Sequence, residues 1–192
     1  MASARPKGKL FVISAPSGSG KTTLCNRVLG DRLDLVRSVS VTTRPPRADE
    51  IKGIDYHFVS EGRFRKMVAH RQFLEHEENF GHFYGTPRRR IEGWLKKGKN
   101  VLLNIDVKGA MKVHRAYPQS SVLIFILPPS IKVLKQRLHF RKSDSAQTIS
   151  DRLKIAQQEM AYKDRYDYRI INDKLDMAYR RLKKIIVSEL KK

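Results

Sequence analysis

Cysteine is nearly absent from this chain: Cys25 stands alone among 192 residues. A single thiol forms no internal disulfide and has no second cysteine at metal-ligand spacing, which excludes disulfide scaffolds and zinc modules. The pattern fits a reducing compartment, so a cytoplasmic location is expected, with Cys25 packing a helix rather than acting as a nucleophile. Long apolar runs are missing too. The longest, Val122 to Leu127, stops at Pro128-Pro129 and has the length of a strand, far short of the ~20 residues that span a bilayer. Arg5, Lys7 and Lys9 near the start are followed by no apolar stretch of export-signal length before Gly18 and Gly20, so neither a membrane partner nor an export signal is expected. Acidic residues are scarce, 19 Asp and Glu against 40 Lys and Arg, for a formal charge of +21. Such an excess points to polyanionic ligands. The cations are spread along the whole chain with no aromatic-interleaved recognition motif, so nucleotides are expected as partners and nucleic acid is not. None of the six histidines, His76 and His82 included, has metal-ligand spacing.

What is present is an alternation of strand-length apolar runs and helical patterns. Leu10 to Ser14, Val36 to Val41, Val101 to Ile105, Val122 to Leu127 and Arg169 to Ile171 read as strands, several continuous as in strands covered on both faces. Thr23 to Leu29, Pro87 to Lys97, Ser130 to Phe140, Thr148 to Lys163 and Leu175 to Leu190 read as helices, the last with Leu175, Tyr179, Leu182, Ile186 and Leu190 as its packing stripe. The expected fold class is α/β: a parallel sheet flanked by helices. Asp55 to Ser60 and Gln72 to Glu77 are expected as short strands around a helix over Glu61 to His70. They give an inserted mixed α/β lobe at residues 37–86, with the core at 1–36, 87–136 and 153–192. The polar stretch 137–152 is expected to be a short lid.

The strongest local signal is Ala15-Pro16-Ser17-Gly18-Ser19-Gly20-Lys21-Thr22-Thr23, a phosphate-binding loop between a strand and a helix, with Ala15 where the motif usually begins with Gly. Gly18 and Gly20 let backbone N–H groups turn toward phosphate oxygens, Lys21 reaches the β and γ phosphates, and Thr22 offers its hydroxyl to Mg²⁺. ATP·Mg²⁺ is the expected ligand. Phosphoryl transfer needs water excluded and developing charge clamped, work suited to the lid arginines Arg137, Arg141 and Arg152 beside Lys21. A second nucleotide site is suggested by Arg44 and Arg47, three residues apart around Pro45-Pro46 and able to grip one phosphate from two sides, with Tyr56 and Tyr84 as phenolic donors.

Taken together, these segments resemble the guanylate kinase family over nearly the whole chain. The similarity is carried by APSGSGKTT at Ala15 to Thr23, SVTTRPPR at Ser40 to Arg47, DYHFVS at Asp55 to Ser60, QFLEHEENFGHFYGT at Gln72 to Thr86, Asn104-Ile105-Asp106, PPS at Pro128 to Ser130 and YDYRIIND at Tyr166 to Asp173. The resemblance implies transfer of the γ-phosphoryl group of ATP to GMP, within purine nucleotide metabolism and GMP recycling. It further implies that Ser40, Glu75, Thr86 and Asp106 meet the guanine while Arg44, Arg47, Tyr56 and Tyr84 hold the GMP phosphate. Guanine offers an O6 acceptor and N1–H and N2–H₂ donors, so Ser40 and Thr86 would donate to O6, and Glu75 and Asp106 would accept from the nitrogens. Two departures stand out. The family usually has Asp where this chain has Asn104, close to the Mg²⁺ water shell, and a glycine near Arg141 where Phe140 and Lys142 sit. Monomer and homodimer both remain open, and two other readings compete: a catalytically silent interaction module, disfavoured by the intact loop, and a nucleic-acid binder resting on charge alone.

Overall fold

The structure, a computed structural model, describes residues 8–31, 33–139 and 146–192. Its core is a five-stranded, all-parallel sheet in the order β2-β7-β1-β8-β9, formed by β1 (Leu10–Ser14), β2 (Leu35–Arg37), β7 (Asn100–Asn104), β8 (Ser121–Leu127) and β9 (Tyr168–Ile171). The period-two geometry of a strand explains why β1 is apolar throughout. Leu10 and Val12 point into one packed layer with Ile91, Leu95 and Val113, while Phe11 and Ile13 point into the other with Leu24, Val28, Leu182 and Ile186. The first layer is closed by α3 (Arg88–Lys96) and α4 (Val107–Ala116). The second is closed by α1 (Lys21–Leu29) and α7 (Leu175–Leu190). Cys25 lies in that second layer, 1% exposed, and burial pushes its thiol up to about 12. It is a packing residue.

A second, four-stranded sheet in the order β4-β3-β6-β5 is built from β3 (Ser40–Thr42), β4 (Tyr56–Phe58), β5 (Phe73–Asn79) and β6 (His82–Pro87). The single strand expected over Val36 to Val41 is thus two strands in different sheets, broken at Ser38-Val39. No proline or glycine marks that break; its only trace in the sequence is a slip in the alternation, from Val36 to Val39 and Val41, across the adjacent polar pair Arg37-Ser38. The helix α2 (Glu61–Ala69), capped by the Ser60 hydroxyl, covers this sheet by stacking Phe64 on Phe73 and Phe83 at 4.6 and 5.5 Å. The β5–β6 ladder slips between Phe73 and Glu75: Phe73 sits opposite Pro87 but Glu75 opposite Thr86. This bulge breaks the in–out alternation, so Phe73, Leu74 and Glu75 are all buried in succession. A carboxylate is thereby turned inward.

Between β8 and β9 lie α5 (Ile131–His139) and α6 (Ala146–Met160), which pack on each other through Leu134, Leu138, Ile149 and Ala156. Arg137 is on α5 and Arg152 on α6, whereas Arg141, with Phe140 and Lys142, lies outside the described residues. The expected lid therefore falls partly on regular helix. Two elements, β6 and α4, lie where no strand or helix is expected from the sequence. Among the described residues, no helix is long and apolar enough to cross a membrane.

Candidate active site

A cleft of about 410 Å³ runs between the two sheets. Its floor at one end is the loop Ala15 to Thr23, every residue of which lines it. The turn is held by Ser19 N–H to the Pro16 carbonyl at 3.1 Å, and by Asn172 Nδ2 donating to the Ser19 carbonyl at 2.8 Å. Gly18 and Gly20 have φ of +88° and +83°, a left-handed conformation that a side chain would strain. At Gly20 there is also no room, since a Cβ would come 2.4 Å from Asn172 Nδ2. No side chain caps the start of α1. Its first N–H groups, with the positive end of the helix dipole, therefore remain available to an anion. Lys21 donates from Nζ to the Ile105 carbonyl at 2.7 Å. Burial lowers its pKa, opposed by nearby anionic groups that include Asp106, Glu159 and Glu75.

The opposite wall is the second sheet. Glu75, 5% exposed, accepts a short hydrogen bond from the Thr86 hydroxyl. Burial pushes its pKa up to about 7; the Thr86 bond opposes the shift and the negative charge of Asp106 adds to it. Asp106 reaches the cleft from the core side, where it follows β7 and caps α4, accepting from the Gly109 N–H at 2.8 Å on Oδ1. Ser40, Glu75 and Asp106 line the cleft together. Thr86 is placed differently from expectation. It is fully buried, is not among the cleft-lining residues, and its hydroxyl is hydrogen-bonded to Glu75.

Farther along this wall lie Arg44, Arg47, Tyr56 and Tyr84. The two tyrosine rings meet edge to face at 6.0 Å, and the Arg44 guanidinium sits 5.6 Å over Tyr56. Glu50 gathers both arginines. It accepts from Arg44 Nη2 at 2.7 and 2.9 Å and from the Arg47 N–H at 2.9 Å, with the Arg47 guanidinium 3.8 Å away. Burial works against charge on Glu50, but the Arg44 hydrogen bond wins and holds its carboxyl below the usual range. Glu50 is not singled out by the sequence, where it stands beside a second acid, Asp49; only the fold brings it onto both arginines.

The lid arginines divide. Arg152 lines the cleft, its guanidinium 5.3 Å over the ring of Phe80 at the β5–β6 turn. Arg137 instead donates to the Asn172 carbonyl at 3.0 Å and is not among the cleft-lining residues. Glu159, absent from the expected site, enters the cleft from α6 two turns after Arg152, a spacing that places both on one helix face. Burial raises its pKa to about 7, with Lys21 opposing, Asp106 adding and the Ser17 N–H opposing. Asn79, Phe80, His82 and Ile105 also line the cleft.

Asn104 ends β7 and lines the cleft with Thr22. Among the described residues no group of three or more His, Cys, Asp or Glu could hold a metal ion. A hydroxyl and an amide oxygen make a sparse oxygen donor set. It suits Mg²⁺ that arrives on phosphate oxygens and keeps most of its waters, not a dedicated protein cage.

Comparison with known proteins places the chain in a family. The guanylate kinase family model matches residues 7–189. A guanylate kinase of Clostridium perfringens (strain SM101 / Type A) is 43% identical over 183 residues, covering 95% of this chain and 84% of that protein. One of Caulobacter vibrioides is 46% identical over 183 residues, covering 95% and 86%. The crystal structure of guanylate kinase from Anaplasma phagocytophilum matches with a TM-score of 0.82 at 36% identity, over 96% of this chain and 87% of that one. Shikimate kinase from Bacteroides thetaiotaomicron, at 14% identity and a TM-score of 0.52, shares the fold alone.

Proposed function

The chain belongs to the guanylate kinase family and phosphorylates GMP with ATP, and we propose that it does so with GMP on the second sheet and ATP on the loop. The observation that carries this reading is that two carboxylates, Glu75 on the second sheet and Asp106 on the core beside the phosphate loop, line one cleft with that loop. Carboxylates accept from guanine N1–H and N2–H₂. Adenine would leave them against an N1 lone pair with no second amine, and a site of buried polar pairs rejects such a mismatch by roughly 10⁴-fold. Ser40 donates to O6. Arg44, Arg47, Tyr56 and Tyr84 take the GMP phosphate, which competes with Glu50 for the two guanidinium groups.

At the other end, the loop N–H groups and Lys21 bind the β and γ phosphates of ATP. The Thr22 hydroxyl and the Asn104 side chain are the groups that would hold Mg²⁺, whose charge would offset that of the phosphates. The chemistry is in-line transfer between two held nucleotides, without a covalent intermediate and without a strong base. Lys21 and Arg152 stabilise charge on the transferred group, joined by Arg137 and Arg141 when the lid segment 137–152 closes over the core and the GMP lobe 37–86. Nucleotide substrates and a lone buried thiol suit a cytoplasmic enzyme. A coupled assay of ADP formation with GMP, dGMP, AMP, UMP and CMP tests the reading. Turnover with GMP is expected; no turnover with GMP rejects the enzyme, and AMP used as well as GMP rejects the base site.

A further inference from the structure

Gly109, the third residue of α4, lies directly behind the base-binding wall and makes two separate provisions for it. Its N–H donates to Asp106 Oδ1 at 2.8 Å. Its missing side chain leaves the space that Glu75 fills, since a Cβ built on Gly109 would lie 2.6 Å from Glu75 Oε2 and 3.0 Å from Cδ. We infer that Gly109 is a positioning residue for base selection, an open seat that lets α4 press close enough to hold both carboxylates at guanine-binding distance from one another. The inference rests on the assignment of Glu75 and Asp106 to the guanine.

The glycine is not there for backbone freedom. Its φ is not in the left-handed region, and it sits inside a regular helix, where alanine is the better helix former. Ordinary contact begins near 3.4 Å, so a methyl group here forces Oε2 back by about 0.8 Å. The obstructing atom is the end of a side chain, not backbone, so the carboxylate gives way and the helix does not. Glu75 is buried and tied to Thr86, so it has no second seat of equal quality. A hydrogen bond from N1–H or N2–H₂ made at 2.7–3.2 Å does not survive a shift of that size without loss. The Asp106 cap, made by a backbone N–H that alanine retains, stays in place.

Gly109→Ala is therefore expected to raise the KM for GMP about ten- to hundredfold, the range for a lost hydrogen bond to a charged group. The KM for ATP should stay within twofold of wild type and the melting temperature should be unchanged or higher. Selectivity for GMP over AMP, as the ratio of kcat/KM values, should fall. On a Glu75→Asp background, where the carboxylate is one methylene shorter and clears the new methyl, adding Gly109→Ala should change the GMP KM less than twofold. Gly93→Ala on α3, where a Cβ meets nothing within 4 Å, serves as the control and should leave both KM values alone. A GMP KM within twofold of wild type in Gly109→Ala overturns the inference, as does an effect of equal size on the Glu75→Asp background. An unfolded Gly109→Ala protein overturns it too, because the helix rather than the carboxylate would then have yielded. Wild-type protein inactive on GMP would instead overturn the functional reading beneath it.

Discussion

Replacing Glu75 by Gln separates what its buried charge costs from what it recognises. The carboxyl is 5% exposed and its pKa is pushed from an ordinary 4.5 to about 7, by burial first, with Asp106 and Glu77 adding and Thr86 and Lys112 opposing. A raised carboxyl pKa means the folded state holds its proton more tightly than the unfolded chain. Its contribution to stability is then full below pH 4.5 and is lost as pH rises to 7, a total of about 3 kcal/mol at most. Glu75→Gln removes that loss, so at pH 8 the variant should be more stable by up to about 3 kcal/mol, a melting temperature higher by several degrees. GMP binding runs the other way, because N1–H and N2–H₂ need the ionised acceptor. With a pKa near 7, the wild-type KM for GMP should fall about tenfold between pH 6 and pH 8. GMP itself titrates near pH 6 through its phosphate, and Glu75→Gln supplies the baseline for that effect. The variant should show a KM raised about thirtyfold at pH 8, from a lost charged hydrogen bond of about 2 kcal/mol, and only the shallow slope of the phosphate. Steady-state kinetics at saturating ATP and thermal melts across pH 6–8 measure all of this. The reasoning is refuted if Glu75→Gln keeps the wild-type pH slope, or if it is the less stable protein at pH 8.

Lys21→Met should lower kcat by at least about a hundredfold, as for loss of one charge-stabilising donor, while calorimetry finds GMP affinity within a few-fold of wild type. An equal loss of GMP binding would place Lys21 in the wrong half of the cleft. Asn104→Asp adds a negative charge beside Thr22; one charge against a cation at an effective dielectric near 20 is worth at most about 3 kcal/mol, so turnover should rise or the Mg²⁺ requirement fall. Identical rates and identical Mg²⁺ titrations would remove Asn104 from the metal's surroundings. Gly20→Ala should cost about 1–3 kcal/mol of stability and weaken ATP binding, because alanine there needs φ near +83° and collides with Asn172. A melting temperature equal to wild type contradicts that reading.

The loop was legible from residues 15–23 because its work is done by backbone, and a backbone conformation needing φ above zero leaves glycines in the sequence. The core strands were legible because burial on both faces writes an unbroken apolar run, as in Leu10–Ser14 and Ser121–Leu127. The break between β2 and β3 was not, since partner choice at Ser38-Val39 is made by two different sheets and not by local propensity. Helix α4 was missed although Val107, Ala110 and Val113 mark its buried face, because Asp106 was read for guanine and not also as the N-cap it is. Thr86 looked like a donor to the ligand on chemistry alone. Only the β-bulge at Leu74, which sets Glu75 opposite Thr86, brings the two into a hydrogen bond. Arg137 and Glu159 changed places for a similar reason. Charge alone favours the arginine, but a hydrogen bond to the carbonyl of Asn172, just after β9, occupies Arg137, while α6 carries Glu159 to the cleft.

Direct transfer between two nucleotides held in one cleft is decided by a single-turnover reaction of the wild-type protein with ATP labelled in its γ-phosphoryl group, with GMP present, quenched and separated over time. Label should pass from ATP to GDP with none retained on protein, and the transfer should collapse in Lys21→Met. Label accumulating on the protein, or released as inorganic phosphate while GMP is left unchanged, would contradict it.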